Sequence, residues 1–200
     1  KDGSLVVEEK GIHSVEKFII ARRLMYWQVY LHKTVLGAEQ LIINILQRVQ
    51  QLAQQGAALF ATPALHFFLY EKITGNDFSI DPSILERFCL LDDSDITASI
   101  KVWAGHKDTI LSRLCTMVLD RKLYKVRLST QPLEQEFEKM KQAVLASGKM
   151  TEEELPFYLF YGSTSNNTYN QNDERINILM KNGDAVNISR VDNALIGSEL

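Results

Sequence analysis

Phe18-Ile19-Ile20-Ala21-Arg22-Arg23-Leu24-Met25-Tyr26-Trp27-Gln28-Val29-Tyr30-Leu31-His32-Lys33 is the most informative run in this chain. Projected as a helix, Ile20, Leu24, Trp27 and Leu31 fall together, and Phe18, Met25 and Val29 form a second apolar strip. A helix apolar on two sides is expected to be buried on two sides. Arg22, Tyr26, Tyr30 and Lys33 fall in one arc between those strips, at helical spacing.

A guanidinium in such a place must meet an anion, because a charge stranded in an apolar interior costs several kcal/mol. Two partners fit Arg22: a carboxylate from another helix, or a ligand phosphate, which Arg grips bidentately. Tyr26 and Tyr30 divide in the same way, between core packing with a bonded hydroxyl and stacking on a base or bonding to a sugar. Spacing alone leaves both readings open.

Outward from this helix the chain reads as mainly α. Residues 4–9 suit a short strand, and Ser14 is placed to cap a helix running to about Lys33, with Glu16 in its first turn. A break over 34–37 precedes a second amphipathic helix to about Gln55, stopped by Gly56. Pro63, Pro82 and Asp92-Asp93-Ser94 each open a further helix, and another runs over about 107–121. Beyond that the pattern changes. Lys122–Ser129 alternates like a strand, Pro132 opens a helix to Ser147, and Thr151 with Glu154 makes a one-turn capping box. Phe157–Tyr161, Ile176–Met180 and Ala185–Ile188 read as strands, the last two joined at Asn182-Gly183. Between the first two of these lies an Asn-rich connection over 162–173. The expected organisation is a multi-helical segment over 1–121 followed by a small α+β (β-α-β-β) region over 122–200.

Composition narrows the function. The 200 residues are 46% apolar and 24% charged, an ordinary globular balance, with a net charge of −3 and no basic run, so nucleic acid is not an expected partner. No apolar stretch is long enough for a bilayer, no secretory leader is evident, and no membrane partner is expected. Cys89 and Cys115 lie in apolar helical contexts without CxxC spacing, which suits buried reduced thiols in a cytoplasmic protein. The sequons at Asn166 and Asn187 would matter only in a secreted one. A start at Lys1 rather than Met suits a trimmed tag or a piece of a longer chain.

Several chemistries have no residues to support them. None of His13, His32, His66 and His106 is followed by Asp, and there is no HExxH, zinc cluster, Gly-Lys phosphate loop or GxSxG. His66 reads as a core-edge residue, His106 as a group near a helix end, and Asp92-Asp93-Asp95 as helix caps. The chain is not expected to hold a complete catalytic site or a metal.

Two sets of residues carry a family resemblance. The run Arg22-x3-Tyr26-x3-Tyr30-Leu31-His32-Lys33 resembles the helix downstream of the metal site in HD-domain phosphohydrolases of the dNTP triphosphohydrolase type, a family with many bacterial members. Asp93-x-Asp95-Ile96, Trp103, Asp108-x-Ile110-Leu111, Leu114 and Asp120-Arg121-Lys122-Leu123-Tyr124-Lys125 follow the order of that family's later helices. The resemblance covers about residues 5–130 well and the remainder more loosely.

This resemblance implies that the chain is the C-terminal, non-metal portion of such an enzyme. The divalent metal would belong to an upstream HD domain, which would be its partner, together with a dNTP or related nucleotide and further copies in a homo-oligomer. Arg22 matches a substrate-phosphate contact, and Tyr30 belongs with the sugar and base pocket. Tyr26 falls where the mammalian member has a His; a phenol, ordinarily titrating near pH ~10, is a poor acid at neutral pH. His32, Lys33, Arg121 and Lys125 match positions beside a regulatory nucleotide. The reading from a different class is a protein interaction or oligomerisation module without a catalytic role.

Overall fold

The computed structural model describes residues 5–164 and 176–191. It is mainly helical with one small sheet, as the hydrophobic periodicity predicts. The Asn-rich connection and the Asn166 sequon fall largely or wholly outside the described residues. Two compact units form, with boundaries different from a division at residue 121. One runs from Lys33 to Gly162; the other combines the chain up to His32 with the chain from Ser163 onward.

The larger unit is built on α2 (Lys33–Gln54). Its buried residues, Leu41, Asn44, Ile45, Arg48, Val49, Leu52 and Ala53, recur at three- and four-residue spacing and define one core stripe. The unit also contains α3 (Pro63–Tyr70), α4 (Asp77–Ile80), α5 (Pro82–Cys89), α6 (Asp93–Trp103), α7 (Thr109–Leu119) and α8 (Glu134–Ala146), with α3 and α7 packed on α2 and α6 on α7. Leu41, Ile45, Val49, Leu111 and Leu114 are wholly buried in one cluster with Trp103, whose indole N–H donates to the Phe60 carbonyl at 2.9 Å. Each such aliphatic side chain contributes roughly 1.5–3 kcal/mol on burial.

Local signals place the helix ends. Asp92 accepts from the backbone N–H of Ser94 and Asp95 while the Asp95 carboxylate accepts from Asp92 N–H, a reciprocal capping box. Asp81 and Asp108 cap α5 and α7. Gly56 terminates α2 with φ of +82°, a conformation costly for residues with a Cβ. Thr151 and Glu154 form the expected box before a 3-10 turn, Leu155–Phe157.

The smaller unit carries the sheet, in the order β1 (Val7–Glu8), β2 (Asn177–Leu179), β3 (Ala185–Asn187). β1 runs parallel to β2 with Val7 opposite Ile178, and β2 is antiparallel to β3 with Ile178 opposite Val186. Asn182-Gly183 makes the hairpin turn, with Gly183 at φ +88°. Ile12 of α1 (Ile12–Met25) packs with Ile178 and Ile188 in this unit's own core.

Several expectations are corrected. The first long helix begins at Ile12 after Gly11, without a side-chain cap from Ser14. The interruption comes at Leu31-His32 rather than over 34–37, because Tyr26–Tyr30 adopts a π-helical turn and α2 has already begun at Lys33. Among the described residues the small sheet takes its first strand from the N-terminus: β2 pairs with β1 on one side and with β3 on the other. Phe157–Tyr161 is not a strand, because Pro156 lacks a donor and the buried Phe157 carbonyl is taken by the Asn44 amide and the Tyr124 hydroxyl. Lys122–Ser129 has no regular secondary structure and joins no sheet among the described residues. Cys115 is buried, which pushes its thiol up to about 12, whereas Cys89 is exposed.

One contact in the larger unit admits no side chain. A Cβ on Gly37 would lie 2.9 Å from the Tyr124 carbonyl oxygen and 3.4 Å from a Val126 methyl carbon. Gly37→Ala should gain ~1 kcal/mol of helix propensity and lose about 1–3 kcal/mol to overpacking. The backbone carbonyl cannot swing aside as a flexible side chain would, so a net loss is expected, read as a lower urea midpoint at unchanged m-value.

Candidate functional site

The site helix is α1 continued into the π turn. Its buried residues Ile12, Glu16 and Ile19 make a single stripe, and Arg22 and Tyr26 follow on the same side, half-buried. Glu16 is fully enclosed, with its carboxylate 2.9 Å from His13 Nδ1. The guanidinium carbon of Arg22 stands 5.7 Å from the centre of the Tyr26 ring, and Tyr26 and Tyr30 lie tilted with centroids 4.9 Å apart. One helix therefore presents a cation and two phenols in a row.

The π turn sets the end of that row. Leu31 N–H donates to the Tyr26 carbonyl five residues back, at 2.8 Å. A π turn places one extra residue in a helical turn, a geometry frequent at functional sites. Tyr30 and the residues after it are thereby offset from the α-helical progression of Arg22 and Tyr26.

The expectation that this helix is buried on two sides is not met within the chain. Phe18 is 66% exposed, Trp27 54% and Leu24 52%, and Met25, Val29 and Tyr30 also face outward. Both apolar strips are largely open. His32 and Lys33 are exposed on either side of the boundary between the units. Arg121 is exposed in a left-handed conformation, φ 56°, just past α7, and Lys125 is exposed on the irregular segment that follows. The four expected regulatory cations thus divide between the two units: His32 in the smaller, the other three in the larger.

Comparison with known proteins connects the site helix to a family. Residues 1–60, which include it, match a sequence family described as the HD associated region. The chain is related to HD-domain proteins. It is 34% identical over 125 residues to the protein YwfO of Bacillus subtilis (strain 168), covering 62% of this chain and 27% of that protein. It also superposes on the crystal structure of a phosphohydrolase from Bacteroides thetaiotaomicron VPI-5482 with a TM-score of 0.80 and 42% identity, over 94% of this chain and 47% of that one. The chain therefore spans about a quarter of the length of the curated relative and about half that of the solved phosphohydrolase.

The described residues do not themselves fit a divalent metal: no three His, Cys, Asp or Glu side chains converge among them. Asp92 and Asp95 are engaged in helix capping. His106 Nδ1 accepts from the Asp108 backbone N–H at 3.0 Å, and the exposed His66 stacks on Tyr70 at 4.4 Å. Among the described residues no helix is long and apolar enough to cross a membrane.

Sequence reasoning missed the principal ionic cluster of the larger unit. Arg48, 8% exposed, holds Asp108 bidentately, Nε to one carboxylate oxygen at 3.1 Å and Nη2 to the other at 2.7 Å. Its Nη1 reaches Gln51 and Glu153. The available signal was a cation at the i+3 position of an otherwise apolar stripe, Ile45, Val49 and Leu52. Burial pushes the Asp108 carboxyl up, but the Arg48 hydrogen bonds and the Leu111 N–H outweigh it and hold it below the usual carboxylate range.

Glu153 is 74% exposed and adds little, so the Arg48–Asp108 pair dominates. Arg48→Ala should cost about 3–5 kcal/mol, because it leaves Asp108 partly buried without its cation. A depressed folded pKa contributes stability that is complete above the unfolded carboxylate value and is lost as pH falls through the folded one. Urea unfolding from neutral pH down through the carboxylate range should show this loss in the native sequence and a shallower one in Asp108→Asn.

Proposed function

We propose that this chain is the non-metal, C-terminal portion of an HD-type nucleotide phosphohydrolase, with a dNTP as the substrate class, and that Arg22 contacts a substrate phosphate. The observation that carries the reading is the row on the site helix: a half-buried guanidinium against Tyr26, followed by Tyr30, within the region matched to the HD associated family. The likeness to a solved phosphohydrolase over 94% of the chain supports it.

Each group has a role consistent with its chemistry. A guanidinium binds phosphate oxygens through paired N–H donors and offsets charge that grows on them as a phosphoester bond breaks. Tyr26 and Tyr30 offer ring faces to a base and hydroxyls to a sugar. His32, Lys33, Arg121 and Lys125 are the candidates for a regulatory phosphate contact. The metal would be held by an HD domain elsewhere in the longer protein, and no step of the reaction is assigned to it here.

The test is made in the longer protein that carries its HD domain. Arg22→Ala should lower kcat/KM for dNTP hydrolysis by about 10²–10³, the scale for removing one donor to developing charge. The thermal midpoint without nucleotide should stay close to that of the parent. An activity unchanged by Arg22→Ala would remove Arg22 from the site; a parent inert on every dNTP, with or without a second nucleotide, would remove the substrate class.

A second reading, an interaction or oligomerisation module without a catalytic role, is favoured by the outward-facing Phe18, Leu24 and Trp27. Nucleotide separates the two. A dNTP present at a hundred times its dissociation constant adds ~2.7 kcal/mol to a protein that binds it when folded, and a pure interaction module would show no such rise in melting temperature.

A further inference from the structure

Two exposed apolar surfaces of this chain match in length and are opposite in charge. The first lies on α1 and the π turn. Ile20, Leu24 and Trp27, spaced by four and three residues, form an outward-facing strip about 10 Å long. Lys17 and Arg23, both exposed, stand on either side of that strip in helical projection. Arg22 and Tyr26 fall on another arc of the helix.

The second surface is a groove of about 520 Å³ in the larger unit, between α2, α3 and the start of α6. Buried Leu65 and Leu69 and half-buried Leu46, Phe68, Leu91 and Ile96 make it apolar. Along α2 it runs from Ile43 to Gln50, also about 10 Å. Its rim is polar, with exposed Gln47, Gln50, Asp92 and Asp93.

Charge decides what fits there. Two carboxylates and no cation line the groove. Asp92 uses one carboxylate oxygen to cap α6, and Asp93 forms no ion pair among the described residues. Arg87, on neighbouring α5, is held over the Phe67 ring at 4.4 Å. The groove therefore suits an apolar helix face flanked by cations. An amphipathic helix seats in such a groove through anchors three, four and seven residues apart, and opposite charges at the rim select the partner. The Ile20, Leu24 and Trp27 strip has that spacing and those flanks.

We propose that Ile20, Leu24 and Trp27 of one copy of the chain seat in the α2–α3–α6 groove of a second copy, with the Lys17 and Arg23 flanks facing the Asp92–Asp93 rim. The exchange is mutual about a two-fold axis, so each copy gives a helix and receives one. It does not depend on the nucleotide reading, because Arg22 and Tyr26 take no part in it.

The test is made in the longer protein that carries its HD domain, by sedimentation. Leu24→Glu disables the helix strip and Ile43→Lys the groove; both residues are exposed, so both variants should keep the parent's thermal midpoint. Each variant alone should give an assembly of lower mass than the parent. An equimolar mixture should recover association, because the intact helix of one variant meets the intact groove of the other. With one contact in place of two, the recovered species should need at least about a hundredfold more protein than the parent. A monomeric parent, an unchanged mass in either variant, or a mixture that fails to recover would each overturn the proposal. A strip that pairs with itself, or that the HD domain covers, leaves the mass of Ile43→Lys unchanged.

Discussion

The pairing of Arg48 with Asp108 ties α2 to α7 in the larger unit. The Arg48 guanidinium lies on the core stripe of α2 and can remain there only because Asp108, the cap of α7, meets it with both oxygens. The same carboxylate accepts from Leu111 N–H, so one side chain both starts α7 and neutralises α2. The helices consequently pack in a single register, with Leu111 and Leu114 opposed to the apolar members of the α2 stripe. A hydrophobic pair in that place would leave the helices freer to slide, since apolar contact is non-directional.

Asn44 has the corresponding role a helical turn earlier. It donates to the Phe157 carbonyl and the Tyr124 hydroxyl, and Gln40 donates to it. α2 is thereby tied to two segments outside the α-helices, the irregular stretch after α7 and the 3-10 turn that ends at Phe157. These ties involve buried polar groups, each costly to leave unpaired, so they fix position as well as adding stability.

The sequence makes the helices legible because their signals are local. Pro63, Asp81, Asp92 and Asp108 stand at helix starts, and the spacing of Leu41, Ile45, Val49 and Leu52 identifies the α2 face. The sheet is less legible because pairing is a property of two segments at once. Val7 to Glu8 meets a partner some 170 residues later, and nothing within residues 122–200 indicates that their strands belong with it. Alternation over 122–129 does not become a strand, because alternation does not supply a neighbour. At the candidate site the row of Arg22, Tyr26 and Tyr30 is visible as a spacing. The π turn is not, since it replaces one backbone hydrogen-bond pattern by another without a distinctive residue.

The two arginines show why position on a wheel does not separate a structural cation from a ligand-binding one. Arg22 and Arg48 both stand beside apolar strips on their helices. Arg48 is enclosed and surrounded by Asp108, Gln51 and Glu153, so its fork is occupied and a phosphate would have to displace a carboxylate held at 2.7 Å. Arg22 is half-buried, lies against a tyrosine ring and is flanked by outward-facing Phe18, Leu24 and Trp27. The surroundings, rather than the residue type or its periodicity, make Arg48 a fastener of the fold.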